Sequence, residues 1–304
     1  MTSSRSGALP VPSASATRWN ALRRRGGRIS AYLIVVALAA LFFVPFFWTI
    51  TTSLKRVDEL YLFPPPLLPE YPILRNYPEV FRRVPMAMFL RNSAIVATVA
   101  TIGTVVTTTL VAFGFARKRF PGRQLLFVVV LSTMMLPEEV TIIPKFLLYK
   151  QLGLIDTLWS LVLPEYFAVG AFYIFLTRQF MMTIPRDFDE AAMLDGAGSM
   201  RILASVLLPM IQPAVVTVVI LSILNHWNDF FHPLIFLNTK ENLTVSVGLR
   251  YFQGTRGAGS GDMGETREHL FMAASLMAAA PMVMLFFAAQ RYFVRGIVMT
   301  GLKG

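Results

Sequence analysis

Six long apolar runs, separated by polar segments, constrain the fold of this chain more than any other feature of its sequence. A helix of about 20 apolar residues is long enough to cross the hydrocarbon core of a bilayer. Each run reaches that length, so the sequence predicts an all-α membrane protein with six transmembrane helices. The runs cover about 31–50, 89–115, 124–147, 158–180, 210–236 and 271–294.

The first run has two interpretations, an uncleaved membrane anchor and a cleaved signal peptide. Ala37-Leu38-Ala39 resembles a cleavage site, but the apolar stretch continues through Phe46 and Phe47. It is therefore longer than the apolar region of about 7–15 residues that signal peptides use. The preceding residues are rich in Ser, Ala, Pro and Arg. We predict a disordered, basic cytoplasmic tail over 1–30 and a membrane domain over 31–304.

Prolines mark the places where the later runs are expected to bend or end. Pro137 bounds the third run, and the mixed stretch 138–157 is predicted to be an interfacial helix or a re-entrant segment. The fifth run has a proline near each end, where helix ends already lack some backbone partners. The long connection 51–88 is predicted to be irregular. The glycine-rich stretch 254–261 is either a flexible linker or a probe that orders against a partner.

The net charge of +11 is explained by membrane topology. If the N-terminus is cytoplasmic, the segments on that side, with their immediate flanks, carry sixteen basic and four acidic residues, and the rest carries twelve and thirteen. Lysine and arginine are retained on the cytoplasmic side, so both termini are predicted to be cytoplasmic. Nucleic acid is then not needed to explain the charge. The cytoplasmic segments are 1–30, 116–123, 181–209 and 295–304.

Composition excludes several kinds of chemistry. Charged residues make up 15% of the chain, against about 25% in soluble domains. There are no cysteines, which excludes disulfides and thiolate metal sites. The three histidines have no ligand-like spacing, so no metal is predicted. No G-x-x-x-x-G-K-[ST] phosphate loop occurs. The chain is therefore expected to bind no cofactor of its own and not to be an enzyme.

The acidic segment 184–209 is predicted to be a helix–glycine–helix connection at the cytoplasmic surface. Asp187 is expected to cap the first helix, and Glu190, three residues later, completes a capping-box pattern. Carboxylates in the first turn also suit the positive end of the helix dipole. Gly196 can end this helix in a left-handed conformation, and a second helix is expected from about Ser199. Acids on an otherwise basic face indicate either ordinary caps or a positively charged partner.

This segment resembles the EAA motif of ABC-importer permeases. Glu190-Ala191-Ala192 is followed by Gly196, four residues after the second alanine, and then by a hydrophobic-x-Leu-Pro ending. The wider chain, from about residue 41 to the C-terminus, resembles the carbohydrate-importer branch, typified by the smaller permease subunit of maltose importers. The other segments that carry this resemblance are 115–123, Trp227-Asn228-Asp229-Phe230, Pro233-Leu234 and Gly301-Leu302-Lys303-Gly304.

The resemblance implies a multi-pass permease of type I, MetI-like architecture in a bacterial or archaeal plasma membrane. Its partners would be a second permease subunit, two ATPase subunits that hold ATP and Mg, an external solute-binding protein and membrane lipid. The implied ATPase-coupling residues are Asp187, Glu190, Ala191, Ala192, Asp195, Gly196, Leu208 and Pro209. The tail Gly301, Leu302, Lys303 and Gly304 would contact the ATPases, and Gly254, Thr255, Arg256 and Gly257 would belong to a loop that probes the binding protein.

A polar cluster in the fifth run is the candidate translocation path or gate. It consists of Asn225, Trp227, Asn228 and Asp229. Polar groups within a span are costly and usually face a cavity or a partner. The alternative is packing near the external interface, where tryptophan is common. Asp229 lies about 20 residues from the cytoplasmic start of its helix, near the outer edge of the bilayer. Packing is favoured for Trp227, and gating or packing for Asn228 and Asp229.

Together these features predict the permease subunit of an ATP-driven importer. Its solute would be a sugar, an oligosaccharide or a sugar derivative, delivered by an external binding protein. The alternative is an ion-coupled secondary transporter, which needs ionisable relay residues at mid-span depth and often has broken helices. The predicted span interiors are nearly free of charge, which argues against it. A non-transporting anchor or sensor would need a soluble signalling domain, and none is predicted.

Overall fold

A computed structural model describes the secondary structure of residues 14–250 and 267–301. All regular structure within these ranges is helical. Four helical stretches are long and apolar enough to cross a membrane, and two bent helix pairs raise the number to six if each pair is one span. The predicted all-α fold is therefore confirmed, and two of the six expected spans are bent by more than 40°.

The helices are numbered here along the chain. The α-helices are α1 Ala14–Ser53, α2 Asn76–Arg83, α3 Met86–Arg117, α4 Arg123–Ser132, α5 Glu138–Gln151, α6 Trp159–Val162, α7 Ala171–Thr183, α8 Asp187–Leu194, α9 Ser199–Ile202, α10 Leu208–Met210, α11 Gln212–Asn228, α12 Phe231–Phe236, α13 Val245–Gly248 and α14 Glu268–Gly301. Short 3-10 helices cover Asp58–Tyr61, Thr133–Met135, Leu163–Phe167 and Lys240–Asn242, and Leu203–Leu207 is a π-helix.

Helix α1 begins well before the first predicted span. The tail was predicted to be disordered over 1–30, whereas α1 is continuous from Ala14 to Ser53. Once the apolar span has nucleated a helix, each further residue adds a hydrogen bond at little cost, and alanine and arginine are good helix formers. Helix α1 therefore extends into the predicted tail over residues 14–30, residues 1–13 lie outside the described part of the chain, and the disorder of the tail stays a prediction.

The third predicted span is interrupted at Pro137. Helix α4 ends at Ser132, a 3-10 turn follows, and α5 starts at Glu138 after a bend of 99°. Proline offers no N–H to continue a helix and restricts the residue before it, so the chain changes direction there. The bend falls at the proline where the sequence predicted it, and the pair has the form of a broken span or a re-entrant loop, the latter being one of the two predictions for 138–157.

The fifth predicted span is broken at both ends. Helices α9–α10 meet α11 at an angle of 82° around Ile211, and Pro213 lies in the first turn of α11, where its missing N–H costs nothing. Helix α11 then ends at Asn228, and a separate helix, α12, begins at Phe231. The run 210–236 is thus not one helix.

The connection 51–88, predicted to be irregular, contains helix α2. The Glu79 and Arg83 side chains form an ion pair one turn apart, with Oε1 and Nε 2.9 Å from each other. The buried Asn76 side chain donates to the backbone oxygens of Ser53 and Lys55, at 2.8 and 3.0 Å. These bonds fix α2 against the end of α1, which the sequence pattern did not indicate.

Helix α3 runs through both buried clusters of the molecule. One cluster joins Phe89 and Ala100 of α3 to Trp227, Phe236 and Ala274. The other, which we call the α8-side cluster, is centred on residues from α3, α7 and the segment from α9 to α11. Its members are Ala112, Phe113, Ala116, Met181, Ile184, Ile202, Leu203, Leu207, Ile211 and Ala214, and Ala192 and Ala197 pack against it.

Candidate functional site

The predicted helix–glycine–helix connection is present, but it starts differently. Helix α8 begins at Asp187 itself, and Arg186, at the capping position, makes no side-chain cap. The Arg186 carbonyl accepts the N–H groups of Asp189 and Glu190, at 2.9 and 3.0 Å. The predicted capping box is therefore wrong, because the helix starts one residue earlier than expected, at the residue that was predicted to cap it. Three acids still lie in the first turn, where the helix dipole favours them.

Gly196 ends helix α8 in the left-handed conformation, with φ +78°. The N–H of Gly196 donates to Met193 O at 3.0 Å, and the N–H of Ala197 donates to Ala192 O at 2.9 Å. These two bonds form a Schellman motif, which glycine favours because a side chain is strained at this φ. The next helix begins at Ser199, as predicted.

The surface of α8 combines carboxylates with large apolar side chains. Asp187, Glu190 and Asp195 are exposed, as is Ala191, and Ala192 is half-buried. Beside them, Phe188, Met193 and Leu194 are also exposed, and Leu194 is 91% accessible. Exposed apolar side chains grouped on one short helix indicate a binding surface. We call the exposed residues Asp187, Phe188, Glu190, Ala191, Met193, Leu194 and Asp195 the α8 surface.

Asp189, the remaining acid of α8, points inward and forms a buried ion pair with Arg117. Arg117 Nε lies 2.9 Å from Asp189 Oδ2, and the two side chains are 6% and 9% exposed. The Arg117 guanidinium also donates to Ile184 O at 3.0 Å. The sequence interpretation treated Arg117 as a topology determinant and missed this pair. It fastens α8 to the end of α3.

The remaining predicted coupling residues lie outside α8, later in the same segment. Leu208 and Pro209 belong to α10, immediately before the bend at Ile211. The neighbouring Leu207 is fully buried in the α8-side cluster. The Leu-Pro ending therefore belongs to the bend that connects this segment to α11. Lys118 adds a hydrogen bond to the Ser199 hydroxyl at the start of α9.

Two predicted sites are largely beyond the described residues. Gly301 is the last residue of α14, and Leu302, Lys303 and Gly304 lie outside the described part. The whole predicted probe loop, Gly254, Thr255, Arg256 and Gly257, also lies outside it. The assignments of both sites remain predictions from the resemblance.

The polar cluster of the fifth run divides into buried and exposed members. Trp227 is 7% exposed, and its indole N–H donates to Ala278 O at 3.1 Å. Asn225 and Asn228 are exposed. The Asp229 carboxylate accepts the backbone N–H of His232 in the first turn of α12, and the Asp229 carbonyl accepts the Ser246 hydroxyl at 2.6 Å. The geometry packs Trp227 in a buried cluster, whereas hydrogen bonds hold Asp229 to His232 and Ser246.

A groove next to this cluster separates α11 from α1 and α14. Its volume is about 690 Å³, and its walls are mainly apolar. Trp227 and Asn228 lie on one side, Phe43 and Phe46 on another, and Phe286 closes part of the rim. Within the described residues, no group of three or more His, Asp and Glu side chains is placed to hold a metal ion.

The sequence interpretation missed a second polar group, which lies within the spans. Glu165 Oε2 accepts the Thr104 hydroxyl at 2.7 Å, and the Glu165 carbonyl accepts the Thr107 hydroxyl at 3.0 Å. Beside them, Thr101 donates to the Ser222 hydroxyl at 3.0 Å. In the sequence, the signal for this polar group is the glutamate inside the apolar run 158–180. Its presence corrects the expectation that span interiors are nearly free of charge.

These features define the chain as a helical, multi-pass membrane transport subunit. The chain belongs to the family described as binding-protein-dependent transport system inner membrane component, which matches residues 105–299. Members of this family are membrane components of transporters and not enzymes. The match includes α8, the bend at Ile211 and α11, so the resemblance seen in the EAA segment is confirmed.

Curated relatives and a solved structure extend this result. The chain is 31% identical over 280 residues to the arabinooligosaccharides transport system permease protein of Bacillus subtilis (strain 168), covering 91% of this chain and 96% of that one. It is 32% identical over 280 residues to the sn-glycerol-3-phosphate transport system permease protein of Agrobacterium fabrum (strain C58 / ATCC 33970), covering 90% and 96%. In fold it matches a bacterial ABC transporter involved in the import of the acidic polysaccharide alginate, with a TM-score of 0.78, 23% identity and coverage of 94% and 100%.

Proposed function

We propose that this chain is one of two permease subunits of an ATP-driven importer. Two ATPase subunits would bind ATP and Mg, and an external binding protein would deliver the solute. The chain has no phosphate-loop motif, so the energy for transport has to come from a partner. The observation that carries the proposal is the α8 surface, which exposes Leu194 and three carboxylates. Beside it, a buried ion pair joins α8 to α3.

The geometry of α8 suits the transmission of movement. A partner that binds the α8 surface and moves would displace α8, which the Arg117–Asp189 ion pair fixes to α3. Breaking such a buried pair is costly, so α8 and the end of α3 should move together. Rigid-body displacement of packed helices is a common form of switching in proteins.

The solute we propose is a carbohydrate or a carbohydrate derivative. In support, one relative is named for arabinooligosaccharides and another for sn-glycerol-3-phosphate. We also propose that both termini are cytoplasmic, because this orientation places a net charge of +12 on the cytoplasmic side and −1 elsewhere. The α8 surface would then face the ATPases.

Gly196→Pro tests the coupling role of α8. Proline cannot adopt φ +78° and has no N–H to donate to Met193, so the end of α8 should be lost. We expect the substrate-stimulated ATPase of the assembled complex to fall to its basal rate. Gly198→Ala is the matched control, since Gly198 has φ −73° and open space around its Cα. The control should retain normal stimulation.

Stimulation that survives in Gly196→Pro, with the complex intact, would contradict the role of α8.

The ion-coupled alternative is tested on the same complex in proteoliposomes. Glu165 is an ionisable group in a broken span, which is the feature that alternative requires. Family membership favours the importer. Uptake should therefore continue when an ionophore dissipates ion gradients, and stop when internal ATP is removed.

A further inference from the structure

The span from Trp159 to Thr183 is interrupted at the residue that carries its carboxylate. Helix α6 passes into a 3-10 turn over Leu163–Phe167, Ala168 adopts a left-handed conformation with φ +57°, and α7 begins only at Ala171. At bilayer depth, irregular backbone is tolerated only where it is buried in protein or lines a water-filled cavity. Phe167 and Val169 are 73% and 55% exposed, so this segment is not buried within the chain.

Glu165 lies inside the membrane and not at its surface. Its carboxylate accepts a hydrogen bond from Thr104, which is thirteen residues before Arg117 in the unbroken helix α3. At 1.5 Å per residue, Thr104 stands about 20 Å from the α8 end of α3. The hydrocarbon core is about 30 Å thick. A carboxylate at this depth needs a polar partner or an aqueous cavity.

The Glu165 carboxylate has no ion-pair partner among the described residues, although the His226 imidazole lies within electrostatic range of it. Its Oε2 accepts a hydrogen bond from the Thr104 hydroxyl. The residue is half-buried. Thr104 is held by α3, and Tyr166 packs against Gly103, where an added Cβ would lie 2.7 Å from the ring. The carboxylate is therefore fixed in position.

We infer that the Glu165 carboxylate lines the solute path and that this transporter accepts uncharged polyhydroxylated solutes while excluding anionic ones. The inference rests on the proposed function. Carboxylate oxygens accept hydrogen bonds from sugar hydroxyls, whereas a phosphate or a second carboxylate would meet a like charge in a weakly screened site. The two relatives are nearly equal in identity, yet one is named for a neutral solute and the other for a phosphate ester. Glu165 distinguishes between these classes.

Cysteine labelling tests the inference because the chain contains no cysteine of its own. Thr107→Cys places a thiol beside the Glu165 backbone. The assembled complex in nanodiscs would be treated with a cationic and an anionic methanethiosulfonate reagent, and the two labelling rates compared. Phe63→Cys, at a side chain that is 97% exposed outside the spans, is the control. It gives the ratio of the cationic to the anionic labelling rate in open solvent. Glu165→Gln in the Thr107→Cys background removes the charge.

Labelling of Thr107→Cys is expected, with a higher cationic-to-anionic ratio than for Phe63→Cys. Glu165→Gln should lower that ratio by about threefold to sevenfold, because one charge within a Debye length acts on the two reagents in opposite directions. If Thr107→Cys and Glu165→Cys both resist labelling, the site is not on an aqueous path. An unchanged ratio in Glu165→Gln would show that the carboxylate does not set the potential there. Either result overturns the inference.

A transport measurement separates this inference from the proposed function. Proteoliposomes with the complex and its binding protein would be offered labelled arabinotriose and sn-glycerol-3-phosphate. ATP-driven uptake of sn-glycerol-3-phosphate would overturn the exclusion of anions while leaving the importer proposal intact. Absence of ATP-driven uptake of both solutes would count against the proposed function. The labelling result does not depend on transport, so it would still decide the inference in that case.

Discussion

Removal of the Asp189 carboxylate should release helix α8 from α3. Arg117 and Asp189 are 6% and 9% exposed, with Nε and Oδ2 2.9 Å apart. Asp189→Ala leaves a buried guanidinium with the Ile184 carbonyl as its remaining hydrogen-bond acceptor among the described contacts. Removing one member of a buried ion pair costs about 3–5 kcal/mol. Replacing both members by apolar residues of similar size, Arg117→Met with Asp189→Leu, is often close to neutral.

The assay is hydrogen–deuterium exchange of the peptide 184–197 in the purified complex. Local opening of α8 governs this exchange, so the lost free energy of about 3–5 kcal/mol corresponds to exchange about 150-fold to 5000-fold faster in Asp189→Ala. The double variant should recover most of the protection. Asp195→Asn is the control, because Asp195 is an exposed acid at the end of the same helix. Its effect should remain within about 0.5 kcal/mol, or twofold.

Two results would refute this reasoning. Unchanged protection in Asp189→Ala would mean that the apolar contacts of Ala192 and Ala197 hold α8 without the ion pair. A double variant that exchanges as fast as Asp189→Ala would mean that the cost does not come from an uncompensated buried charge. Substrate-stimulated ATPase should follow the same order as the exchange protection, lowest in Asp189→Ala and recovered in the double variant.

Four further outcomes are expected. Gly103→Ala should lower the melting temperature of the complex, because the added Cβ would displace the Tyr166 ring at a cost of about 1–3 kcal/mol. Gly114→Ala is the control, since a Cβ there has open space on the same helix, and it should leave the melting temperature unchanged. Partial burial raises the pKa of Asp156, but the N–H groups of Thr239 and Asn238 outweigh it and hold that pKa below its usual value. The resulting stabilisation is present above the unfolded pKa of Asp156 and is lost as pH falls through the folded pKa. Asp156→Asn should therefore lower the melting temperature at pH 7 more than at pH 3. Ser260→Cys should be labelled by an impermeant reagent added outside intact cells, and protection there would contradict the orientation. The purified chain alone should bind no nucleotide in equilibrium dialysis.

The sequence predicted the end of α8 better than its start. A glycine after a short helical segment has a specific physical consequence, and Gly196 adopts the expected left-handed conformation. The capping box failed because several arrangements can satisfy the first N–H groups of a helix, and here Asp187 lies inside the helix. Arg117 and Asp189 lie far apart in sequence. The charge bias already explained Arg117, so nothing in the pattern indicated that the two side chains meet.

Hydropathy located the spans but not their interruptions. Averaged over a window, a bent pair of apolar helices looks the same as one straight helix. Pro137 gave a local signal because proline lacks an N–H. Ala168 gave none, since alanine rarely adopts φ +57° and does so here only because the surrounding structure imposes it. The break that exposes Glu165 is therefore a property of packing between α3 and the 3-10 turn, which sequence periodicity does not contain.

Helix α3 makes buried polar contacts near both of its ends. Near one end the Asn92 side chain donates to Glu241 O and Leu243 O, at 2.8 and 3.0 Å, and at the other Arg117 pairs with Asp189. Buried polar contacts are costly to break because water cannot replace the lost partner. A displacement of α8 would therefore carry the segment around residues 241–243 with it. The bending that alternating access requires would then fall in the interrupted spans, at Pro137, Ile211 and the turn that carries Glu165.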